Sequence, residues 1–253
     1  MNPRDNTPIR LAILECDYAP PGIEAKYHSY CGVLTYMLEQ ACASLDPPQP
    51  LESLLAISAY DVIADPDRYP DLESIDAIMI SGSRYSALDS DEWITRLVQY
   101  TKRVLEDGRI RVVGICFGHQ IVGLALGAQV KHDEGWELGV VEHELTGEGK
   151  KVFGTEKMSI HQMHRDSISS YPASVIPLAH TPNCETQAMY IPKRMISVQG
   201  HPEFTEEMVR EILEMFKEHG AVSNEVYDDS MRRVGDKEDG VEVAKAFLRF
   251  MKE

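Results

Sequence analysis

Short apolar runs alternate with segments of helical spacing through the first half of the chain, and this alternation constrains the fold more than any other feature. The mostly apolar runs have the length of buried strands and cover residues 9–16, 75–80 and 111–115, with a weaker one within 51–63. The segments with helical spacing cover residues 30–43, 93–105 and 119–127. Strands that alternate with helices are typical of a parallel sheet covered by helices on both faces. The sequence therefore predicts an α/β fold with a single doubly wound, mostly parallel sheet.

The second half of the chain has a different pattern, with shorter β-like stretches and few helix signals between them. The stretches lie near residues 136–145, 173–180, 186–191 and 194–199. We expect them to be antiparallel additions to the sheet. Two helices are predicted after them, at 205–220 and at roughly 240–251, the first with acidic residues in its first turn. Because no repeat or long Gly/Ser linker divides the sequence, we expect residues 1–253 to form a single domain.

The charge balance excludes several classes of partner. The chain carries a formal net charge of −16, and its Lys and Arg residues never cluster beyond adjacent pairs. A nucleic-acid-binding surface needs a basic patch, so we expect no nucleic-acid partner. The sequence also contains no run of about 20 apolar residues and no apolar segment near its start, so we expect no membrane association and a cytoplasmic location.

The sharpest local signal is the segment GICFGHQ, in which Cys116 stands between two glycines where a buried strand becomes a helix. Small residues around a nucleophile permit the strained turn that lifts its side chain from the carboxyl edge of a sheet. The helix N-terminus favours a thiolate, and the Phe117 N–H is placed to donate to an oxyanion. The alternative is a strand–helix joint that contains a buried structural cysteine. The five cysteines form no close pair, and we expect reduced thiols.

One of the nine histidines stands out as a base for this thiol. His201 directly follows the apolar stretch MISVQG, which would bring it to the same sheet edge as Cys116. Glu203, two residues later, could accept a hydrogen bond from the imidazole and fix its orientation. The alternative is a turn histidine followed by a glutamate that caps the next helix.

These two motifs resemble those of the class I (triad) glutamine amidotransferases, G-x-C-x-G-x-Q and H-P-E, in the same order and about 85 residues apart. The segment ISGSR at residues 80–84 is similar to the family's S-G-G-P oxyanion loop, with Ser83 and Arg84 in place of glycine and proline. The resemblance extends over about residues 9–204 and implies a flavodoxin-like fold. Within the family, GSRYSALDSDEWI and QGHPEFT look most like the stand-alone branch of γ-glutamyl peptidases and fungal proteins similar to the amidotransferase part of GMP synthase.

The resemblance implies a role for each motif residue. Cys116 would attack the δ-carbonyl of a γ-glutamyl group, His201 would be its base and then the acid for the leaving amine, and Glu203 would orient His201. The remaining implied residues are the oxyanion donors Phe117 and Gly82 or Ser83, the substrate-positioning Gln120, and a loop for the substrate's α-amino and α-carboxylate end that contains His164, Arg165 and Asp166.

Metal and nucleotide chemistry find little support in the sequence. His161 and His164 would share one face only if the segment were helical, and no Cys or carboxylate accompanies them at ligand spacing. The segment SGSRYS at 81–86 lacks the aspartate of a pyrophosphatase loop, and neither G-x-x-x-x-G-K-[ST] nor G-x-G-x-x-G occurs. We therefore expect neither a metal nor a cofactor.

Three functions remain open at this level. The favoured one is a γ-glutamyl peptidase that hydrolyses glutathione or its conjugates. The alternatives are the glutaminase subunit of a two-chain amidotransferase with a separate synthetase partner, and a non-enzymatic regulatory protein of the same fold. A complete Cys–His–Glu set argues against the last, because a pure binding protein has no use for it.

Overall fold

A computed structural model describes residues 7–253, and its strands form one nine-stranded sheet in the order β2-β1-β3-β4-β9-β8-β7-β5-β6. The strands are β1 (Ile9–Glu15), β2 (Leu55–Asp61), β3 (Ala77–Ile80), β4 (Arg111–Ile115), β5 (Val130–Leu145), β6 (Lys157–Ile168), β7 (Ile176–His180), β8 (Ala188–Ile191) and β9 (Met195–Val198). The polar start of the chain, residues 1–6, lies outside the described residues, and the single-domain assignment stays a prediction.

The helices cover both faces of this sheet. They are α1 (Pro21–Tyr27), α2 (Tyr30–Ala43), α3 (Leu51–Leu54), α4 (Glu92–Asp107), α5 (Phe117–Ala125), α6 (Gly147–Phe153), α7 (Glu206–Glu218), α8 (Asn224–Arg233) and α9 (Gly240–Met251), with a 3₁₀ turn at Leu72–Ser74. Within residues 7–253, every helix is too short or too polar to cross a bilayer.

The parallel half of the sheet consists of β2, β1, β3, β4 and β9, and it confirms the predicted doubly wound α/β fold. Along β1, Leu11 and Ile13 pack in the core on the α2 and α9 face, whereas Ala12 and Leu14 pack on the α4 and α5 face. Both faces of the strand are therefore buried, which explains its continuous apolar run. The parallel arrangement brings the carboxyl ends of β1, β3, β4 and β9 to one edge.

The second half adds the antiparallel strands β8, β7, β5 and β6, as predicted. The sequence analysis missed β6 altogether, because many of its buried residues are polar and it has no apolar run. It also placed the start of β5 at residue 136 instead of Val130. The predicted loop around 163–166 is wrong, since these residues belong to β6.

Four helices were not predicted; α3 is a single turn of four residues without a buried side chain, and the sequences of α1, α6 and α8 explain why the other three were missed. Helix α8 fully buries only Ser230, and its apolar residues Val226, Tyr227 and Met231 are only partly buried. Helix α6 is short and contains two glycines; the Thr146 hydroxyl caps its start by accepting from the Gly149 N–H, and Gly154 ends it with φ 75°. Helix α1 likewise has a single buried residue, Ile23. Each of these three helices is short and buries a few residues at most, which leaves little of the periodicity on which sequence prediction depends.

Candidate active site

Cys116 occupies a strained turn between β4 and α5, as the sequence predicts. Its backbone has φ 51° and ψ −104°, a region that residues with a Cβ rarely adopt. The flanking glycines are needed, because a Cβ on Gly118 would lie 2.3 Å from the Ile80 carbonyl oxygen, and one on Gly114 would lie 2.7 Å from that of Gly118. The Cys116 N–H donates to Val198 O at 2.9 Å, which joins the ends of β4 and β9. Helix α5 thus starts directly beneath the thiol.

His201 lies beside this thiol, three residues after β9 ends. Its Nδ1 is 2.8 Å from Glu203 Oε1, and its ring stacks on Phe204 with 4.1 Å between ring centroids. The His201 backbone N–H donates to His161 O at 2.8 Å, which ties the base to β6. Burial alone would lower the pKa of the imidazole, but the negative charges of Cys116 and Glu203 prevail and raise it to about 10. The raised pKa favours a protonated imidazole at neutral pH, next to the buried sulfur of Cys116.

The loop after β3 approaches both residues through Gly82. A Cβ at this position would lie 2.7 Å from His201 Cε1 and 3.7 Å from Cys116 Cβ, so only glycine fits against the imidazole. Within residues 7–253, neither the Gly82 nor the Ser83 N–H is engaged in a hydrogen bond. The Arg84 N–H, by contrast, donates to Asp17 Oδ2 at 2.7 Å. These contacts leave two loop N–H groups as candidate oxyanion donors and remove the third.

Gln120 is buried and connects several residues of the site. Its Nε2 donates to the backbone oxygen of Asp166 at 2.9 Å and to Gln199 Oε1 at 3.2 Å. Gln199 Nε2 in turn lies 3.6 Å from Cys116 Sγ, a contact that the sequence analysis did not foresee. A glutamine at the end of a buried strand carries no signal that separates such a role from ordinary packing.

The predicted substrate-end residues lie on β6 and line the same cavity as Cys116. His164 is buried, with Nε2 3.0 Å from Glu137 Oε2 and Nδ1 3.2 Å from the Asp166 backbone oxygen, so both its nitrogens face acceptors. The Asp166 carboxylate contacts His132 Nδ1 at 2.6 Å and the Ser86 hydroxyl. Arg165 carries a buried Nε that has no hydrogen-bond partner within residues 7–253. Of the three, Arg165 has an uncommitted polar group.

The buried carboxylate of Glu137 was missing from the sequence analysis. Besides His164, it accepts from the Thr181 hydroxyl at 2.7 Å and from Gln187 Nε2 at 2.5 Å. Burial acts to raise the pKa of Glu137, but hydrogen bonds from His164 and Thr181 outweigh it and hold the pKa below its usual value. Glu137 is therefore ionised beneath the cavity wall.

The pair His161 and His164 does not meet the condition for a metal site. Both residues lie on a strand, and an odd spacing of three sends their side chains to opposite faces. Within the part of the chain that the structure describes, no three His, Cys, Asp or Glu side chains cluster as metal ligands would.

The cavity above Cys116 has a volume of about 560 Å³ and a lining of mixed polarity. Its charged lining residues include Arg84, Arg165 and Asp166. Its apolar lining residues include Trp136 of β5 and Phe204, Ile212 and Phe216 of and near α7, which belong to one hydrophobic cluster. Such a cavity suits a substrate that has a charged end and a bulkier, less polar end.

A cysteine at a strand–helix elbow, a buried histidine beside it and a flavodoxin-like sheet are together typical of the class I glutamine amidotransferase fold. The model of the glutamine amidotransferase class-I family matches residues 51–218, and the chain belongs to this family.

Relatives from several organisms agree with this assignment. A glutamine amidotransferase-like protein of Schizosaccharomyces pombe is 31% identical over 248 residues, which cover 96% of this chain and 98% of that protein. Gamma-glutamyl peptidase 2 of Arabidopsis thaliana is 28% identical, over 66% of this chain and 70% of that one. The crystal structure of a glutamine amidotransferase from Thermotoga maritima has the same fold, with a TM-score of 0.72, 15% identity and coverage of 97% and 99%.

Proposed function

We propose that the chain is a cysteine-dependent hydrolase of γ-glutamyl amides, a γ-glutamyl peptidase that acts on glutathione or γ-glutamyl conjugates. The observation that carries the proposal is the meeting of Cys116, His201 and Glu203 at one sheet edge, with the imidazole pKa raised to about 10. An imidazolium that stabilises a neighbouring thiolate is the arrangement of an activated cysteine nucleophile.

In the proposed reaction, the Cys116 thiolate attacks the δ-carbonyl carbon of the γ-glutamyl group, and the carbonyl electrons move onto oxygen. The N–H of Phe117 and that of Gly82 or Ser83 receive this oxyanion. As the tetrahedral intermediate collapses, the C–N bond breaks and His201 gives its proton to the leaving amine. A γ-glutamyl thioester remains.

Hydrolysis of the thioester completes the cycle. Neutral His201 takes a proton from a water molecule, whose oxygen attacks the same carbonyl carbon. The C–S bond then breaks, glutamate leaves, and the thiolate and the imidazolium are restored. Glu203 keeps the imidazole oriented throughout by accepting from its Nδ1.

We assign the charged lining residues of the cavity to the substrate's amino-acid end. The positively charged Arg165 suits the α-carboxylate, and the acidic Asp166 suits the α-amino group. His164 has both nitrogens occupied by Glu137 and by the Asp166 backbone, so its proposed role is to hold β6 in place. Gln120 supports the same segment through Asp166 O.

The apolar cluster that lines the cavity favours a peptidase over a glutaminase. Ammonia needs no apolar surface, whereas a peptide or conjugate leaving group would lie against Trp136 and Phe216. The similarity to a plant gamma-glutamyl peptidase supports the same choice. The alternative, a glutaminase subunit that delivers ammonia to a synthetase partner, predicts that glutamine is preferred and that a second protein is required.

One assay tests the proposal. The purified chain is incubated with glutamine, glutathione and an S-alkyl glutathione, and released glutamate and amine are quantified by mass spectrometry. We expect release from the glutathione substrates without ATP or a partner, and a loss of about 10³-fold or more in Cys116→Ser. Cys31→Ser, a half-buried thiol on α2, is the matched control and should keep full activity. The peptidase assignment would be contradicted if glutamine were the only one of the three substrates to release glutamate. It would also be contradicted if glutamate were released only in the presence of a second protein.

A further inference from the structure

The loop that carries the candidate oxyanion donors is tied to the loop after β1 by a buried carboxylate. Asp17 is only 6% exposed and lies two residues beyond the end of β1. Its Oδ2 accepts from the Arg84 N–H at 2.7 Å, and its Oδ1 accepts from Arg84 Nε at 2.6 Å. A further Arg84 nitrogen donates to Tyr18 O at 2.5 Å. Arg84 therefore contacts the loop after β1 through both its backbone N–H and its guanidinium.

Further contacts fix the peptide groups between these anchors. The Ser83 hydroxyl donates to Cys16 O at 2.6 Å. Ser81 Oγ accepts from the Cys16 N–H and donates to Gly82 O, both at 2.9 Å. Because the C=O and N–H of a trans peptide point in opposite directions, holding Gly82 O against Ser81 directs the Ser83 N–H the other way. This N–H is left without a partner within the described residues.

Resting on the proposed γ-glutamyl hydrolysis, we propose that Asp17 and Arg84 are positioning residues that hold the Gly82–Ser83 peptide ready to receive the oxyanion. Ser83 and Arg84 are the two positions at which the loop departs from the S-G-G-P pattern. Their side chains supply the tethers that restrain the loop to Cys16, Asp17 and Tyr18. A loop restrained by contacts within its own chain needs no partner protein to assemble it.

The chain offers a matched control for this pair. Arg10 and Asp76 form a second two-pronged ion pair, with Arg10 Nε 2.9 Å and Nη2 2.7 Å from the carboxylate. It joins the same two strands, β1 and β3, at their opposite ends, away from Cys116. Breaking it should lower stability without moving the oxyanion loop.

The experiment compares Asp17→Asn, Arg84→Gln, their double variant and the control Asp76→Asn. Loss of a whole oxyanion donor costs about 10²–10³-fold in kcat, so a loosened donor should cost about 10–100-fold, with KM nearly unchanged. The double variant should be no worse than the more damaged single variant, because the two residues act through one contact. Arg84→Lys, which keeps the charge and the backbone contact to Asp17 but loses the guanidinium contacts to Asp17 and Tyr18, should be intermediate. A kcat within twofold of wild type in Asp17→Asn, or an equal loss in Asp76→Asn, would overturn the proposal.

A second readout separates this proposal from the proposed function. Amide hydrogen exchange in residues 81–85 should accelerate about tenfold or more in Asp17→Asn and remain unchanged in Asp76→Asn, whether or not any substrate is turned over. Alkylation of Cys116 by iodoacetamide should stay at the wild-type rate in Asp17→Asn, because the thiol and His201 are untouched. Unchanged exchange in Asp17→Asn refutes the positioning role. Accelerated exchange in Asp17→Asn, together with a wild type that releases no glutamate, refutes the proposed function and leaves the positioning role intact.

Discussion

Replacing Gly82 with alanine adds one methyl group at the point where the loop meets the imidazole. The new Cβ would lie 2.7 Å from His201 Cε1, and an ordinary contact begins near 3.4 Å, so one partner must move by ~0.7 Å. The ring is held by Phe204 on its face and by Glu203 at Nδ1, 2.8 Å away. Because misplacement on this scale costs about 10²-fold in rate, we expect kcat/KM to fall about 100-fold, equivalent to about 2.7 kcal/mol.

The substitution Gly82→Ala should lower activity without unfolding the protein, so activity and stability are measured on the same samples. Steady-state hydrolysis of a γ-glutamyl peptide gives kcat/KM, and thermal unfolding gives the stability of the same samples. Gly147→Ala is the control, because a Cβ at Gly147 would meet no atom within 4 Å, and it should leave both quantities unchanged. If Gly82→Ala keeps kcat/KM within about threefold of wild type while it remains folded, the tight packing between loop and imidazole has no catalytic consequence.

Further predictions concern the base and the buried carboxylate. His201→Asn should reduce hydrolysis nearly as much as loss of the thiol, whereas Glu203→Gln should be milder, because an amide oxygen still accepts from the imidazole; the reverse order would contradict the assigned roles. Since amine release needs a protonated imidazole and its pKa is about 10, kcat/KM should decline as the pH rises through about 10, and a decline near 6.5 would show an unperturbed histidine. Glu137→Gln should lower Tm at neutral pH. Because the pKa of Glu137 is lowered in the folded protein, its stabilising effect is present above about pH 4.5 and is lost on further acidification. Plots of Tm against pH for the wild type and Glu137→Gln should therefore converge at low pH. Parallel plots would argue against a buried ionised carboxylate.

The parallel half of the fold was predictable because its strands are buried on both faces and read as apolar runs. Strand β6 was not, because Ser159, His161, Gln162 and His164 occupy positions in it where a pattern-based prediction expects apolar residues. Neighbouring strands supply partners for two of the buried ones: Gln162 Nε2 lies 2.8 Å from His143 Nε2, and His164 Nε2 lies 3.0 Å from Glu137 Oε2. Such partners are invisible until the strands are paired.

Some residues of the candidate site could likewise be predicted from the sequence, and others could not. Cys116 and His201 stand in motifs and follow strands, so their meeting at one edge could be predicted, while their chemistry stays a prediction. Asp17 and Glu137 stand in no motif, Gln199 only precedes H-P-E, and a single acidic or amide residue beside a strand usually faces solvent. Their contacts depend on side chains from distant parts of the chain, which no local pattern encodes.

The pairing of β4 with β9 has a consequence for when the site forms during synthesis and folding. Strand β4 and its thiol emerge from the ribosome about 80 residues before β9, which cannot take its place in the sheet until the intervening antiparallel strands are made. Contacts of such long sequence separation form late in folding. A nascent or truncated chain that lacks β9 would therefore hold a thiol without its base, and thiol chemistry would begin only when nearly the whole chain had folded.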